Sequence, residues 1–351
     1  MGDREFRNKI VWFSFAFSLL VIWIHSYNAE LFLGKTPEMA VIYRLEHGIG
    51  DWLGQIAVPG FFMISGYLFF RNFSWERLPE KWKRRVGSVL LPYLLWNLIY
   101  YIGYAAGSRV PGVRDVIGKG VIPFSLADAV DAVIHYTYNY VFWYLFQLIL
   151  LILLAPVLWL FLRCMAGRIL LLAVLWVLAC SDVRLPLVNV DALIYYASAG
   201  ALAVARPGWV EENGGSDKNF RVCADNRIRL GFVLLIVAAF SYACGMRIYK
   251  PVCFIICRLL AVAGVWLLVP AAFLPDTPFF ARYNFFLYAT HFAFVRFFNK
   301  AGAMILPAVS AVPLVLFLMM PFLALAASLV AGAVLRRGVP VVWKVLNGGR
   351  S

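Results

Sequence analysis

Long apolar runs alternate with short polar or basic connections along nearly the whole chain. A helix needs about 20 mainly apolar residues to cross the hydrocarbon core of a bilayer. Ten segments reach or approach that length: 10–31, 48–70, 87–106, 139–162, 168–182, 190–205, 230–247, 252–274, 279–298 and 308–335. The fifth and sixth are the shortest. The pattern predicts an all-α, polytopic integral membrane protein with about 10 transmembrane helices. No boundary separates two independently patterned halves and no inverted repeat is visible, so residues 1–351 read as one membrane domain. Two connections are long. Residues 107–138 form a candidate lid over an entrance, and the polar, glycine-containing 206–229 reads as a solvated linker between helix groups.

Composition points to the same solvent. Hydrophobic residues make up 63% of the chain and charged residues only 14%, against about 25% in an ordinary soluble domain. A soluble fold with that content would expose large apolar patches. The net charge of +14 does not imply nucleic acid, because the cations flank apolar segments and no nucleic-acid-binding motif is present. In a membrane protein such an excess sets orientation. With the N-terminus inside, the inside connections hold 21 Lys and Arg and the outside ones 10, with Arg258 inside a helix. Both termini, and the 206–229 linker, are therefore expected in the cytosol and 107–138 outside. The basic N-terminus followed by an apolar run has no small-residue cleavage site and reads as an uncleaved first helix. Cys164, Cys180, Cys223, Cys244, Cys253 and Cys257 include no C-x-x-C pair and lack histidine partners, so no metal site is expected.

Polar residues inside apolar helices carry the chemistry. Histidine is scarce, and of His25, His47, His135 and His291 only His25 and His291 fall inside apolar helices. Ionisable residues there are functional candidates, since lipid exposure is costly. Residues 7 and 11 positions apart on a helix lie about 20° from each other. Ser14 and Ser18 thus share a face with His25, and Asn28 extends the stripe by one turn. Such a stripe must face protein or water. In the second segment, Pro59 would leave the Gln55 carbonyl free within a continuous helix, while Gly60 and Gly66 permit close approach by a helix or a substrate.

These residues recur in a recognisable order. VIWIHSYN, VPGFFMISGYLFF, KRRVGSVLLPYLLWN, VFWYL and FFLYATH resemble the membrane-bound acyltransferase 3 family, which includes enzymes that acetylate O-antigen and other surface polysaccharides. The resemblance implies a cytosolic acyl-coenzyme A donor, used as a co-substrate and not a bound cofactor, and an essential histidine in helix 1, which His25 matches. Phe62, Ser65 and Gly66 match the helix-2 signature. Lys83, Arg84 and Arg85 match the basic cluster before helix 3. One departure stands out: the family carries Arg or Lys eleven residues before the histidine, and this chain has Ser14.

The chemistry is consistent with that resemblance. A histidine can take the proton from a sugar hydroxyl as it attacks a thioester carbonyl. Ser65, Asn28, Tyr67 and backbone freed by Pro59 are candidate donors to the developing oxyanion. Lys81, Lys83, Arg84 and Arg85 suit nucleotide phosphates, or else anchor the orientation. Trp143, Tyr144 and Trp96 suit a sugar or adenine ring, or else the interfacial belt. The expected activity is an O-acyltransferase, acetyl-specific and in a bacterial-type plasma membrane. Its partners would be membrane lipid, the acyl-coenzyme A and a carbohydrate or lipid-linked glycan. Ten helices around a polar stripe also suit a transporter of a glycan or small polar solute, including a serine-uptake module, or a non-catalytic assembly partner.

Overall fold

The computed structural model describes the backbone of residues 2–181, 183–211, 218–248 and 250–350, and their side chains apart from 116 and 218–225. Its first half comprises α1 (Asp3–Ile24), α2 (Ala29–Leu33), α3 (Pro37–Leu53), α4 (Ala57–Phe70), α5 (Leu78–Arg85), α6 (Leu91–Gly107), α7 (Pro111–Ile117), α8 (Leu126–Ile134) and α9 (Trp143–Leu162). The second comprises α10 (Met165–Cys180), α11 (Val190–Ala205), α12 (Pro207–Glu211), α13 (Lys218–Ile248), α14 (Pro251–Leu268), α15 (Asn284–Ile305), α16 (Ala311–Gly338) and α17 (Pro340–Leu346). Among the described residues there is no strand. In lipid every backbone polar group needs an internal partner, and helices supply it within one segment.

Among the described residues, seven stretches are long and apolar enough to cross a membrane: Asp3–Leu33, Pro37–Phe70, Leu78–Gly107, Tyr140–Leu162, Asn226–Ile248, Pro251–Leu268 and Ala311–Gly338. The protein is therefore an all-helical membrane protein, and the expected ten spans are met by length and composition for seven. Of the other three, α10 and α11 are apolar but have 16 residues each. The third, α15, has 22 residues but includes His291, Arg296, Asn299 and Lys300. Residues 206–229 are not a simple linker either. They contain α12 and the start of α13, and 212–217 lie outside the described residues.

Helix α1 packs against α3, α4, α15 and α16. It ends at Ile24, seven residues earlier than expected, because the Ser26 hydroxyl and the His25 N–H both take the Ile22 carbonyl. The chain then turns into α2. Asn28 begins α2 and does not continue the α1 stripe: its N–H donates to Glu46 Oε2 (3.1 Å) and its side-chain amide to Asn299 Oδ1 (3.1 Å). The second segment is also broken. A 3-10 turn, Gly54–Ile56, separates α3 from α4. Pro59 consequently lies in the first turn of α4, where a missing N–H costs little.

Both chain ends lie beside α5. Arg71, just before it, pairs with Asp3 (2.9 Å) and doubly with Glu211 (2.7 and 2.9 Å). Just after it, the Ser88 carbonyl accepts from Arg350 (3.1 Å). We call this the α5 face. At 1.5 Å per residue α1 is roughly 33 Å long, which carries His25 to the opposite, far face.

Close packing of α4 on α11 rests on Gly66, where a Cβ would stand 2.3 Å from the Tyr196 carbonyl oxygen. Gly66→Ala should therefore destabilise the protein by about 1–3 kcal/mol and lower its melting temperature in detergent. Gly48→Ala, with nothing within 4 Å of the added carbon, should not. An unchanged melting temperature for Gly66→Ala would mean that the helices do not approach this closely.

Candidate active site

A cavity of about 380 Å³ opens beside α1 near the α5 face. That is the lower part of the roughly 300–1,000 Å³ range of small-molecule sites. Helix α1 lines it with Ser14 and Ser18, and α4 with Ser65. Tyr144 of α9 and Tyr288 of α15 form the opposite wall. Ser65 Oγ reaches Tyr144 Oη at 3.5 Å, a long contact. Ser18 Oγ and Asn284 Oδ1, on two of the lining residues, are buried and have no hydrogen-bond partner among the described residues.

Three arginines line the same cavity: Arg85 at the end of α5, Arg282 in the turn before α15, and Arg350. Among the described residues no carboxylate lines it. The Arg350 guanidinium is positioned by the Ser88 and Asn347 carbonyls (3.1 and 3.2 Å) and lies 4.5 Å from the Phe285 ring centre. Burial, then the neighbouring Arg85, push it down to about 10, so it remains a cation at neutral pH. The N-terminus of α15, a 22-residue helix, lies among these residues, and its dipole adds to an anion site.

The basic cluster after α4 is divided by the fold. Only Arg85 reaches the cavity. Lys81 donates to the Phe69 and Arg71 carbonyls (2.8 and 3.1 Å), closing the C-terminal end of α4 as a cation there should. Arg84 is exposed and pairs with Glu80, and Lys83 is exposed.

The two intramembrane histidines meet on the far side of Tyr288. Their ring centres are 5.5 Å apart, and His291 is 5.8 Å from Tyr288. His291 is 1% exposed. Its Nδ1 is 2.6 Å from the Tyr288 carbonyl, which only accepts, so Nδ1 carries the proton and Nε2 the lone pair. That Nε2 is buried without a partner among the described residues. His25 is half-buried, with Nδ1 2.9 Å from the Tyr140 hydroxyl. In the tautomer whose Nδ1–H donates to Tyr140, the Nε2 lone pair of His25 is free to take a proton. Ser18 lies seven residues below His25, roughly 10 Å by helical rise.

Other expected site residues lie elsewhere. Phe62, 1% exposed, sits behind Tyr144 at 4.7 Å, with Trp143 packed against it at 6.3 Å and outside the cavity. Tyr67 donates to Glu211 (2.7 Å) and lines a separate apolar cavity of about 340 Å³. Gln55 lines another cleft, of about 280 Å³, with Arg258. Asn28 and Gly66 hold the fold, as described above. Sequence reasoning did not single out Tyr140, Tyr288, Asn284, Arg282 or Arg350. Tyr140 and Tyr288 adjoin the VFWYL and FFLYATH motifs. Arg350 has no local signal at all.

No curated protein and no solved structure matches the chain. The family model described as an acyltransferase domain does, over residues 15–334. That span includes both histidines and most of the cavity, and on it the chain belongs to the acyltransferase 3 family.

Proposed function

We propose that this membrane acyltransferase moves an acyl group from acyl-coenzyme A, entering at the α5 face, to a carbohydrate hydroxyl presented at the far face. The observation that carries this reading is one cavity with three arginines and, among the described residues, no carboxylate in its lining, running along α1 toward a histidine pair. The arginines suit the phosphates of the donor. The narrow interior suits its thioester arm, with Ser14 and Ser65 as polar partners.

His25 takes the acceptor proton as the acceptor oxygen attacks the thioester carbonyl. Charge moves to the carbonyl oxygen, the carbon–sulfur bond breaks, and the imidazolium returns the proton to the departing thiolate. Tyr140 orients the His25 ring. Three cavity arginines take the role for which the resemblance implies a cation eleven residues before the histidine, where Ser14 stands.

A cytosolic donor requires the α5 face to be cytosolic, as the Lys and Arg distribution predicts. In intact cells, on a cysteine-free background, Arg114→Cys in α7 should react with an impermeant thiol reagent and Lys83→Cys in α5 should not. The reverse pattern would invert the protein and remove the donor from its arginines. The reading as a whole is tested by purified protein turning over acetyl-coenzyme A in the presence of glycan acceptor. Acceptor-dependent thiol release supports it, and its absence with donor bound would sink it.

A further inference from the structure

Beyond His25, the far face continues as a wall of aromatic rings and cations. Tyr140, whose hydroxyl meets His25, is 48% exposed and stands edge-on to Phe292 at 4.6 Å. The Phe292 ring centre lies 6.0 Å from the His25 ring and 5.6 Å from the Arg296 guanidinium. Arg296 donates to the Tyr104 hydroxyl at 2.7 Å. Tyr104 packs on Tyr138 at 5.5 Å, and Lys119 lies 5.2 Å from the Tyr138 ring centre. Lys300 follows Arg296 one helical turn later on α15 and is half-buried.

Three chemical facts about this wall are relevant. The exposed face of Tyr140, backed by the buried Phe292 ring, beside a proposed base suits a saccharide ring, which has apolar faces and polar edges. Arg296 is half-buried, and among the described residues no carboxylate pairs with it. The nearby acids are otherwise engaged: Asp131 with His135 (2.8 Å) and Thr137 (2.6 Å), and Asp128 with Ser125. A half-buried guanidinium held by a tyrosine hydroxyl keeps several donors for an anion.

Resting on the transfer reading above, we infer that the acceptor is an anionic saccharide, whose carboxylate or phosphate is held by Arg296 while a neighbouring hydroxyl is presented to His25. The anion can be a uronate of the saccharide or a phosphate that links it to a lipid. Both are oxyanions that accept from a guanidinium.

The test uses full-length protein in nanodiscs of zwitterionic lipid, titrated with three soluble probes. Chitin tetrasaccharide is neutral, hyaluronan tetrasaccharide carries carboxylates, and glucose 1-phosphate carries a phosphate. At least one anionic probe should bind ten or more times as tightly as the neutral one. Arg296→Gln should abolish that preference, Arg296→Lys should retain much of it, and the exposed control Lys35→Gln should leave it unchanged. Preference for the carboxylate or for the phosphate identifies the source of the anion. No preference, no binding by any probe, or a preference that survives Arg296→Gln overturns the inference. Acetyl-coenzyme A binding, measured on the same preparations, checks that each variant is folded. Wild-type protein that fails to bind acetyl-coenzyme A would sink the transfer reading, whereas donor binding without an anion preference sinks only this inference.

Discussion

His25→Ala should lower acyl transfer by at least 100-fold while leaving expression, melting temperature and donor affinity nearly unchanged. General-base assistance contributes about 10²–10⁴ in rate, and His25 is the half-buried histidine at the far end of the cavity axis. Its ring hydrogen-bonds to Tyr140 and is only half-buried, although it packs beside His291 and Phe292, so the fold should tolerate its removal. His25→Gln should not restore activity, because an amide can hydrogen-bond but cannot carry the proton. Tyr140→Phe, which removes only the orienting hydroxyl, should cost on the order of tenfold, the value of one hydrogen bond of about 1.5 kcal/mol. His291→Ala should be milder in turnover than His25→Ala but worse in stability, since it leaves a hole in a fully buried position. Transfer above about a tenth of the wild-type rate in purified His25→Ala would exclude general-base catalysis by this residue, and the lone pair at His291 Nε2 would become the better candidate.

The second large effect should appear at the other end of the cavity. Arg282→Gln combined with Arg350→Gln should raise the KM for acyl-coenzyme A by more than 100-fold, with kcat changed far less. Each hydrogen bond to a charged group is worth about 1.5–3 kcal/mol, and about 1.4 kcal/mol corresponds to a factor of ten in affinity. Lys83→Gln, at an exposed position outside the cavity, should change the KM by less than about twofold, as expected for a well-solvated surface charge. Donor KM unaffected by both substitutions would show that the phosphates bind elsewhere. An equal loss in Lys83→Gln would return the assignment to the basic cluster as a whole.

The sequence alone was enough for the solvent and the secondary structure. Runs of apolar residues with a helical period can satisfy their backbone in lipid only as helices, so α4, α6, α9 and α16 follow from local pattern. His25 was also legible, as a scarce ionisable side chain in an apolar segment on the same helical face as Ser14 and Ser18. The end of α1 was not, because apolarity continues through Leu33, and it is the Ser26 and His25 bonds to the Ile22 carbonyl that stop the helix. Nor could local pattern divide the basic cluster. Lys81 and Arg85 are equivalent in charge, but the direction of each side chain is set by what packs opposite it. For Lys81 that is the carbonyl end of α4; for Arg85 it is the space shared with Arg282 and Arg350. The cavity arginines come from positions 85, 282 and 350, and the His25 surroundings from 140, 291 and 292. Side chains that far apart in the chain have no spacing to read, so only the packing of α1 against α4 and α15 sets Ser14 and Ser18 in one cavity with the arginines and His25 beside His291.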